Sequence, residues 1–193
     1  MSYSVELLKG NLGHEISGLT LLKPKIFYDE RGFFMESWNQ LDFNQAIGKE
    51  IRFVQDNHSF SKEGVIRGLH YQLDPHKQGK LVRCISGEIY DVVVDIRKES
   101  KNFGNWAGVY LDDQKYHQLW VPEGFAHGFL SLRDSTEVLY KTTRFWSNIS
   151  ERTIHWDDKE LSINWPNKNK ISLISKKDSE ALNLNQIESK DLL

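Results

Sequence analysis

His70 stands in the run Arg67-Gly68-Leu69-His70-Tyr71-Gln72, Lys80 in Gln78-Gly79-Lys80, and His127 in Pro122-Glu123-Gly124-Phe125-Ala126-His127-Gly128. Residues two apart on a strand share a face, so a His-x-His pair joined by a third His from a Pro-x-Gly-x-x-His segment can hold a transition metal inside a β-barrel. Here the second member of the pair is Gln72. A neutral amide is a poor ligand for such a metal, and the neighbouring Arg67 and Lys80 would repel a divalent cation. The same residue types suit proton transfer instead. Imidazole titrates near neutrality, and cations beside it favour an anionic substrate and an anionic intermediate. No metal is expected.

These side chains must be carried by strands. Parity places Gly68, His70 and Gln72 on one face of a strand, and Phe125, His127 and Phe129 on one face of another. Arg67 and His70 differ by three, so a regular strand sends them to opposite faces; a bulge at Gly68 would bring both to one cavity. Taken singly, each histidine could be a hydrogen-bonded core or rim residue. Their occurrence together with Arg67 and Lys80 is what points to a site.

From Lys80 onward, short runs rich in Val, Ile, Tyr, Phe and Trp alternate with turn residues and carry no helical period. Strands are expected over 80–85, 88–96, 108–111, 116–121, 125–132 and 136–143, with Ser86-Gly87 joining the first two as a hairpin. Regular strand spacing favours an all-β sandwich or barrel. A short helix is expected over 40–47, ended by Gly48 and packed at the barrel edge. Beyond Trp165-Pro166 the composition turns to Asn, Lys and Ser, and few apolar anchors remain, which leaves a helical or frayed tail.

A chain of 193 residues suits one domain with its own core. With 25 Lys and Arg against 27 Asp and Glu, the net charge of −2 excludes the basic field of a general nucleic-acid binder, so any phosphate recognition must be local. The single Cys84 cannot form an internal disulfide and lies in an apolar run, which reads as a small buried hydrophobe in a reducing compartment. Neither a signal-peptide core nor a run of membrane-spanning length is present in the sequence. A soluble cytoplasmic protein is expected, with no membrane and no nucleic-acid partner.

Further motifs stand in a set order: Asp29-Glu30-Arg31-Gly32-Phe33-Phe34 with Glu36, then Phe53-Val54-Gln55-Asp56-Asn57-His58-Ser59, Leu139-Tyr140-Lys141-Thr142, and Trp165-Pro166. With the runs around His70, Lys80 and His127, this order resembles the dTDP-4-dehydrorhamnose 3,5-epimerases over nearly the whole chain. These are cupin-fold enzymes of dTDP-L-rhamnose synthesis. The resemblance implies one domain over 1–193, a double-stranded β-helix (cupin or jelly-roll barrel) with short peripheral helices. It also implies a homodimer with strands of 1–25 at its interface, and a C-terminal segment 167–193 carrying a functional Asp178.

The chemistry implied is proton exchange beside a ketone. In a 4-keto-6-deoxyhexose both C3 and C5 flank the carbonyl, so a base can form an enolate and reprotonation from the opposite face inverts the centre. The resemblance assigns His70 as base with Asp178 as its partner, Lys80 to the C4 oxygen, and Tyr140 as proton donor. Arg31, Glu36, Gln55, Asp56, Asn57, Arg67, His127, Glu151 and Lys177 fall at substrate-binding positions for a dTDP-sugar. Trp146 stands where members of the family carry a Tyr that stacks on thymine, so an aromatic face is kept while base preference is left open. No cofactor is implied. Alternatives are a related deoxysugar cupin that inverts one centre or moves the ketone, a noncatalytic sugar-nucleotide-binding cupin, and a metal-dependent oxygenase of the same fold, the last opposed by Gln72.

Overall fold

The computed structural model describes residues 3–193; Met1 and Ser2, part of the segment expected at a subunit interface, lie outside the described residues. From the N-terminus come β1 (Tyr3–Lys9), β2 (Glu15–Pro24), a small hairpin of β3 (Phe27–Asp29) and β4 (Gly32–Phe34), helix α1 (Gln40–Ile47), β5 (Gln55–Ser61) and β6 (Val65–Gln72). The middle of the chain adds β7 (Lys80–Ser86), β8 (Glu88–Asp95), β9 (Trp106–Asp112), β10 (Gln118–Val121), β11 (Phe125–Ser131) and β12 (Thr136–Thr142). β13 (Glu151–Thr153), β14 (Leu173–Ile174) and the one-turn helix α2 (Lys176–Ser179) follow. Among the described residues no helix is long and apolar enough to cross a membrane.

Two sheets face each other, ordered β1-β2-β10-β7-β12-β5 and β13-β6-β11-β8-β9, and β14 joins β6 in parallel. Val82, Cys84, Leu119 and Val138 of the first sheet meet Ile89, Val93, Phe125 and Phe129 of the second in one buried cluster. This is the expected all-β jelly roll. Outside the first sheet, α1 seats Phe43 fully buried among Leu22, Leu81 and Trp120. Asn39 begins the helix by accepting from the Leu41 and Asp42 amides, and Gly48 ends it in a left-handed conformation. The helix boundaries agree with those expected, although it covers a sheet face rather than only the edge.

Ser86-Gly87 does not make a hairpin. β7 pairs with β10 and β12, whereas β8 pairs with β11 and β9 in the other sheet. A turn signal specifies a reversal and not a partner. Each fully buried aliphatic side chain contributes roughly 1.5–3 kcal/mol, against about 1 kcal/mol for a net hydrogen bond, so facing Val82 and Cys84 across to Ile89 and Val93 outweighs local pairing. Gly87 takes the corner at φ 80°, its amide donating to Asp113 Oδ2 at 2.8 Å. The expected strand at 116–121 also starts later, at Gln118, because Tyr116 adopts φ 54° in the preceding turn.

The tail is neither a long helix nor frayed. Leu184 is buried, and Ile187, Leu192 and Leu193 pack on the outer face of the second sheet. The Leu193 amide donates to the Ile96 carbonyl at 3.2 Å and the Lys98 amide to the Leu193 carbonyl at 2.6 Å, so the final residue completes a ladder begun by the core.

Gly87→Ala should destabilise the protein by about 2–5 kcal/mol, the sum of a left-handed alanine and a side chain forced into Thr136. Urea unfolding followed by tryptophan fluorescence checks this; a midpoint equal to the parent's would contradict the corner's role.

Candidate active site

The site begins with a backbone irregularity. On β11, His127 stands opposite His70 and Phe129 opposite Arg67, so Gly68 and Leu69 together face the single Gly128. A side chain at Gly68 would put its Cβ 2.5 Å from the Gly128 Cα, and its φ of 129° favours glycine. The extra residue rephases the strand. Arg67 and His70 therefore both line one cavity, while Leu69 and Tyr71 turn to the apolar cluster on the sheet's other side.

The cavity holds about 710 Å³ between the two sheets. The second sheet supplies Arg67, His70, His127, Phe129 and Glu151, and the first supplies Ser59, Lys80 and Tyr140. Trp146, 56% exposed, stands at its mouth. The C-terminal segment closes one side with Ser175, Lys177 and Asp178. It is held there because Leu173 and Ile174 pair with Val65 and Ile66 on β6.

His70 Nε2 lies 2.6 Å from Asp178 Oδ1, and the Gly68 amide donates to Oδ2 at 3.3 Å. Ser175 begins α2 by accepting from the Asp178 amide at 3.2 Å. Burial opposes ionisation of Asp178, but the hydrogen bond and charge of His70 outweigh it and hold the carboxyl below its ordinary range. An ionised Asp178 accepts a hydrogen bond from Nε2–H and so leaves the lone pair of His70 on Nδ1. Burial pushes the His70 imidazole below its ordinary value against the pull of Asp178, and Lys177 and Lys80 push it the same way. The imidazole is thus neutral at neutral pH.

Lys80 is 7% exposed, its ammonium 3.3 Å from the His70 carbonyl. Burial lowers its pKa to about 8, opposed by Asp91 and Glu151 and assisted by Lys177. Tyr140 is pushed up by burial, with Arg67 opposing, so its phenol keeps its proton. A neutral imidazole, a buried cation and a protonated phenol line one space. At its rim, Lys177 pairs with Glu151 at 3.0 Å.

The family model described as dTDP-4-dehydrorhamnose 3,5-epimerase matches residues 13–186. The chain belongs to the dTDP-4-dehydrorhamnose 3,5-epimerase family. A dTDP-4-dehydrorhamnose 3,5-epimerase of Shigella flexneri is 57% identical over 85% of this chain and 90% of its own length. The crystal structure of a dTDP-6-deoxy-D-glucose-3,5-epimerase from Legionella pneumophila Philadelphia 1, in complex with dTDP-4-keto-L-rhamnose, superposes with a TM-score of 0.90 at 42% identity, covering 98% of this chain and 97% of that one. A 3'-monoepimerase from Streptomyces bikiniensis, in complex with dTDP-quinovose, has a TM-score of 0.83 at 32% identity, covering 89% and 87%.

Of the positions that the epimerase resemblance singles out, Arg67, His70, Lys80, His127, Tyr140, Trp146, Glu151, Lys177 and Asp178 share the cavity. Gln55 stands behind it, accepting from the Trp146 amide at 3.0 Å and donating to Asn57 at 2.8 Å. Asp56 is out of phase with both and pairs with Lys141 at 2.8 Å; with Asn57 it lines a separate cavity of about 320 Å³. Arg31, 86% exposed in its side chain, pairs with Asp29 on the β3–β4 hairpin, and Glu36 accepts from Asn39 beyond it. Neither lines the epimerase cavity. Gln72, expected on the His70 face, is occupied by backbone: it donates to the His76 and Phe145 carbonyls and accepts from the Ser147 amide at 2.6 Å, which steadies the Trp146 loop.

Phe129 lines the cavity beside His127, as strand parity places it; Ser59 and Ser175 line it without having been anticipated, and Asp91 lies behind His127. Asp91 had a signal, a carboxylate within the apolar run Ile89-Tyr90-Asp91-Val92-Val93-Val94.

A reaction that needs neutral His70 and charged Lys80 has two limbs in kcat/KM. The acid limb should fall below pH 6.5, because the lowered imidazole loses its proton earlier, and activity should fall again as pH rises through about 8 and Lys80 loses its charge. A pH–rate profile of the free enzyme checks both; activity that stays level through the basic limb would remove the cation from the reaction.

Proposed function

We propose that this protein epimerises dTDP-4-dehydro-6-deoxy-D-glucose at C3 and C5 to give dTDP-4-dehydro-L-rhamnose. The supporting observation is the opposition of His70 on β6 to Tyr140 on β12, one from each sheet, across a single cavity. Inversion needs a base on one face of the sugar and an acid on the other. The bound dTDP-4-keto-L-rhamnose in the Legionella relative supports the same substrate class.

In this reading His70 takes the proton from C5 or C3, and the C–H electron pair passes to the C4 oxygen as an enolate. Asp178 steadies the resulting imidazolium, and the Lys80 ammonium meets the oxyanion. A preorganised donor of this kind lowers a barrier by about 2.7–4 kcal/mol. Tyr140 protonates the carbon from the opposite face, and both groups re-equilibrate with solvent. Arg67 and Lys177 suit the diphosphate, His127 and Glu151 the sugar hydroxyls, and Trp146 a base stacked at the mouth. Gln55, which accepts from the Trp146 amide, steadies the nucleotide side, whereas Asp56 and Asn57 line the separate cavity. No metal or other cofactor takes part.

Protein dialysed against a strong chelator and incubated with the substrate in deuterated water should give product inverted and labelled at both C3 and C5, read by NMR. Label at C3 alone would make it a single-centre enzyme, unlabelled substrate would sink the epimerase reading, and turnover restored by one added metal would overturn metal independence.

We further propose a cytoplasmic homodimer. β1 and β5 are open sheet edges, and Phe27, Tyr28, Phe33 and Phe34 leave 48–69% of their surface exposed on the hairpin that carries Arg31. Arg31 and Glu36, remote from their own cavity, suit delivery to that of a second copy, with the 1–25 strands at the same interface. Light scattering should give a dimer at micromolar concentration, and Phe34→Asp should weaken it and lower turnover together; a monomeric parent with full activity contradicts this assembly.

A further inference from the structure

β8 is an interior strand of the second sheet, and its alternate residues Ile89, Asp91 and Val93 share one parity. Ile89 and Val93 belong to the apolar cluster between the sheets. Asp91 is 0% exposed in the same layer. A carboxylate so placed is retained at a cost unless charges around it compensate. His127 Nε2 lies 2.9 Å from Oδ1 and 3.0 Å from Oδ2, but its hydrogen bond is directed at Oδ2. Oδ1 is buried with no hydrogen-bond donor among the described residues.

We propose that Asp91 is a positioning residue for the epimerisation: it fixes His127 as the Nε2–H tautomer, leaving Nδ1 to accept from a sugar hydroxyl, and its carboxylate acts on the Lys80 ammonium at the C4 oxygen. This rests on the epimerase reading above. Lys80 faces Asp91 from β8, Glu151 from β13, Lys177 from α2, and the His70 carbonyl from β6, with His127 and Tyr140 lining the same cavity. Asp91 and Glu151 hold its proton on, and Lys177 works against them. Glu151 is already paired with Lys177 at 3.0 Å and keeps 24% of its side chain exposed, so solvent and that partner damp its field. Asp91 has no such damping. Its Oδ1 is a buried acceptor with no hydrogen-bond donor among the described residues, whereas Asp178 spends both oxygens on His70 and the Gly68 amide.

Asp91→Asn keeps the shape and removes the charge. Relative to the parent, kcat should fall on the order of ten- to a hundredfold, as for loss of an orienting partner behind a functional histidine. Affinity for dTDP should hold, and the basic limb of the kcat/KM–pH profile should move to lower pH. Asp91→Glu should return that limb toward the parent's position. A purely structural carboxylate would leave the limb in place, and an unmoved limb overturns the proposal. Should Asp91→Asn fail to fold, ¹⁵N spectra of the unaltered protein decide: His127 should carry its proton on Nε2 with Nδ1 bare, and a proton on Nδ1 overturns the assignment. A parent that does not turn over the keto sugar would defeat the epimerase reading, while the tautomer result would still test Asp91.

Discussion

The close approach of two glycines organises this molecule. Gly68 and Gly128 pass so near that a Cβ on either would strike the other strand's backbone, and the bulge that results puts one extra residue into β6. Without it, strand parity would send Arg67 and His70 to opposite faces. With it, a guanidinium and an imidazole enter one cavity, and His70 comes into register with His127. The C-terminal segment then lies parallel to β6, and the Gly68 amide helps to seat Asp178 beside His70. Base, partner carboxylate and second histidine all follow from one tight backbone contact.

Burial then sets the protonation states. It lowers His70, which favours a free base; it lowers Lys80, which brings the ammonium close to neutrality; and it raises Tyr140, which preserves a proton to give. The His70 and Tyr140 shifts favour abstracting and returning protons near pH 7, whereas the Lys80 shift opposes the charge the site needs and has to be offset by nearby carboxylates. The arrangement is also paired: each histidine has its own buried carboxylate, Asp178 for His70 and Asp91 for His127. Asp91 and Glu151, both carried by the second sheet, supply the negative charge that offsets the burial of the Lys80 ammonium.

Much of this was legible in the residues. The end of the helix over Gln40–Ile47 was legible at Gly48 because caps are local chemistry, and the structure adds Asn39 as its N-cap. The bulge at Gly68 could be inferred from the clash between strand parity and a shared cavity. The Ser86-Gly87 turn signal does not reveal its pairing, because pairing is decided by which apolar faces meet across the sandwich, a long-range matter. The tail was opaque for a similar reason: Leu184, Ile187, Leu192 and Leu193 are too scattered to form a pattern, and their value depends on acceptors such as the Ile96 carbonyl. Tyr140 has the spacing of a core aromatic, and Asp178 sits in the least patterned part of the chain; both came from the family resemblance and not from periodicity. Asp91 announced itself as a charge in an apolar run, but nothing in the run named His127 as its partner.

The opposition of His70 and Tyr140 is tested most directly by following solvent deuterium into the substrate with each residue altered in turn. Tyr140→Phe should still wash out the C5 proton, with return from the original face, yet give no inverted product. His70→Asn should abolish washout and inversion alike while dTDP still binds. Inverted product from Tyr140→Phe at the parent's rate, or washout undiminished in His70→Asn, would contradict a base and an acid on opposite walls of the cavity.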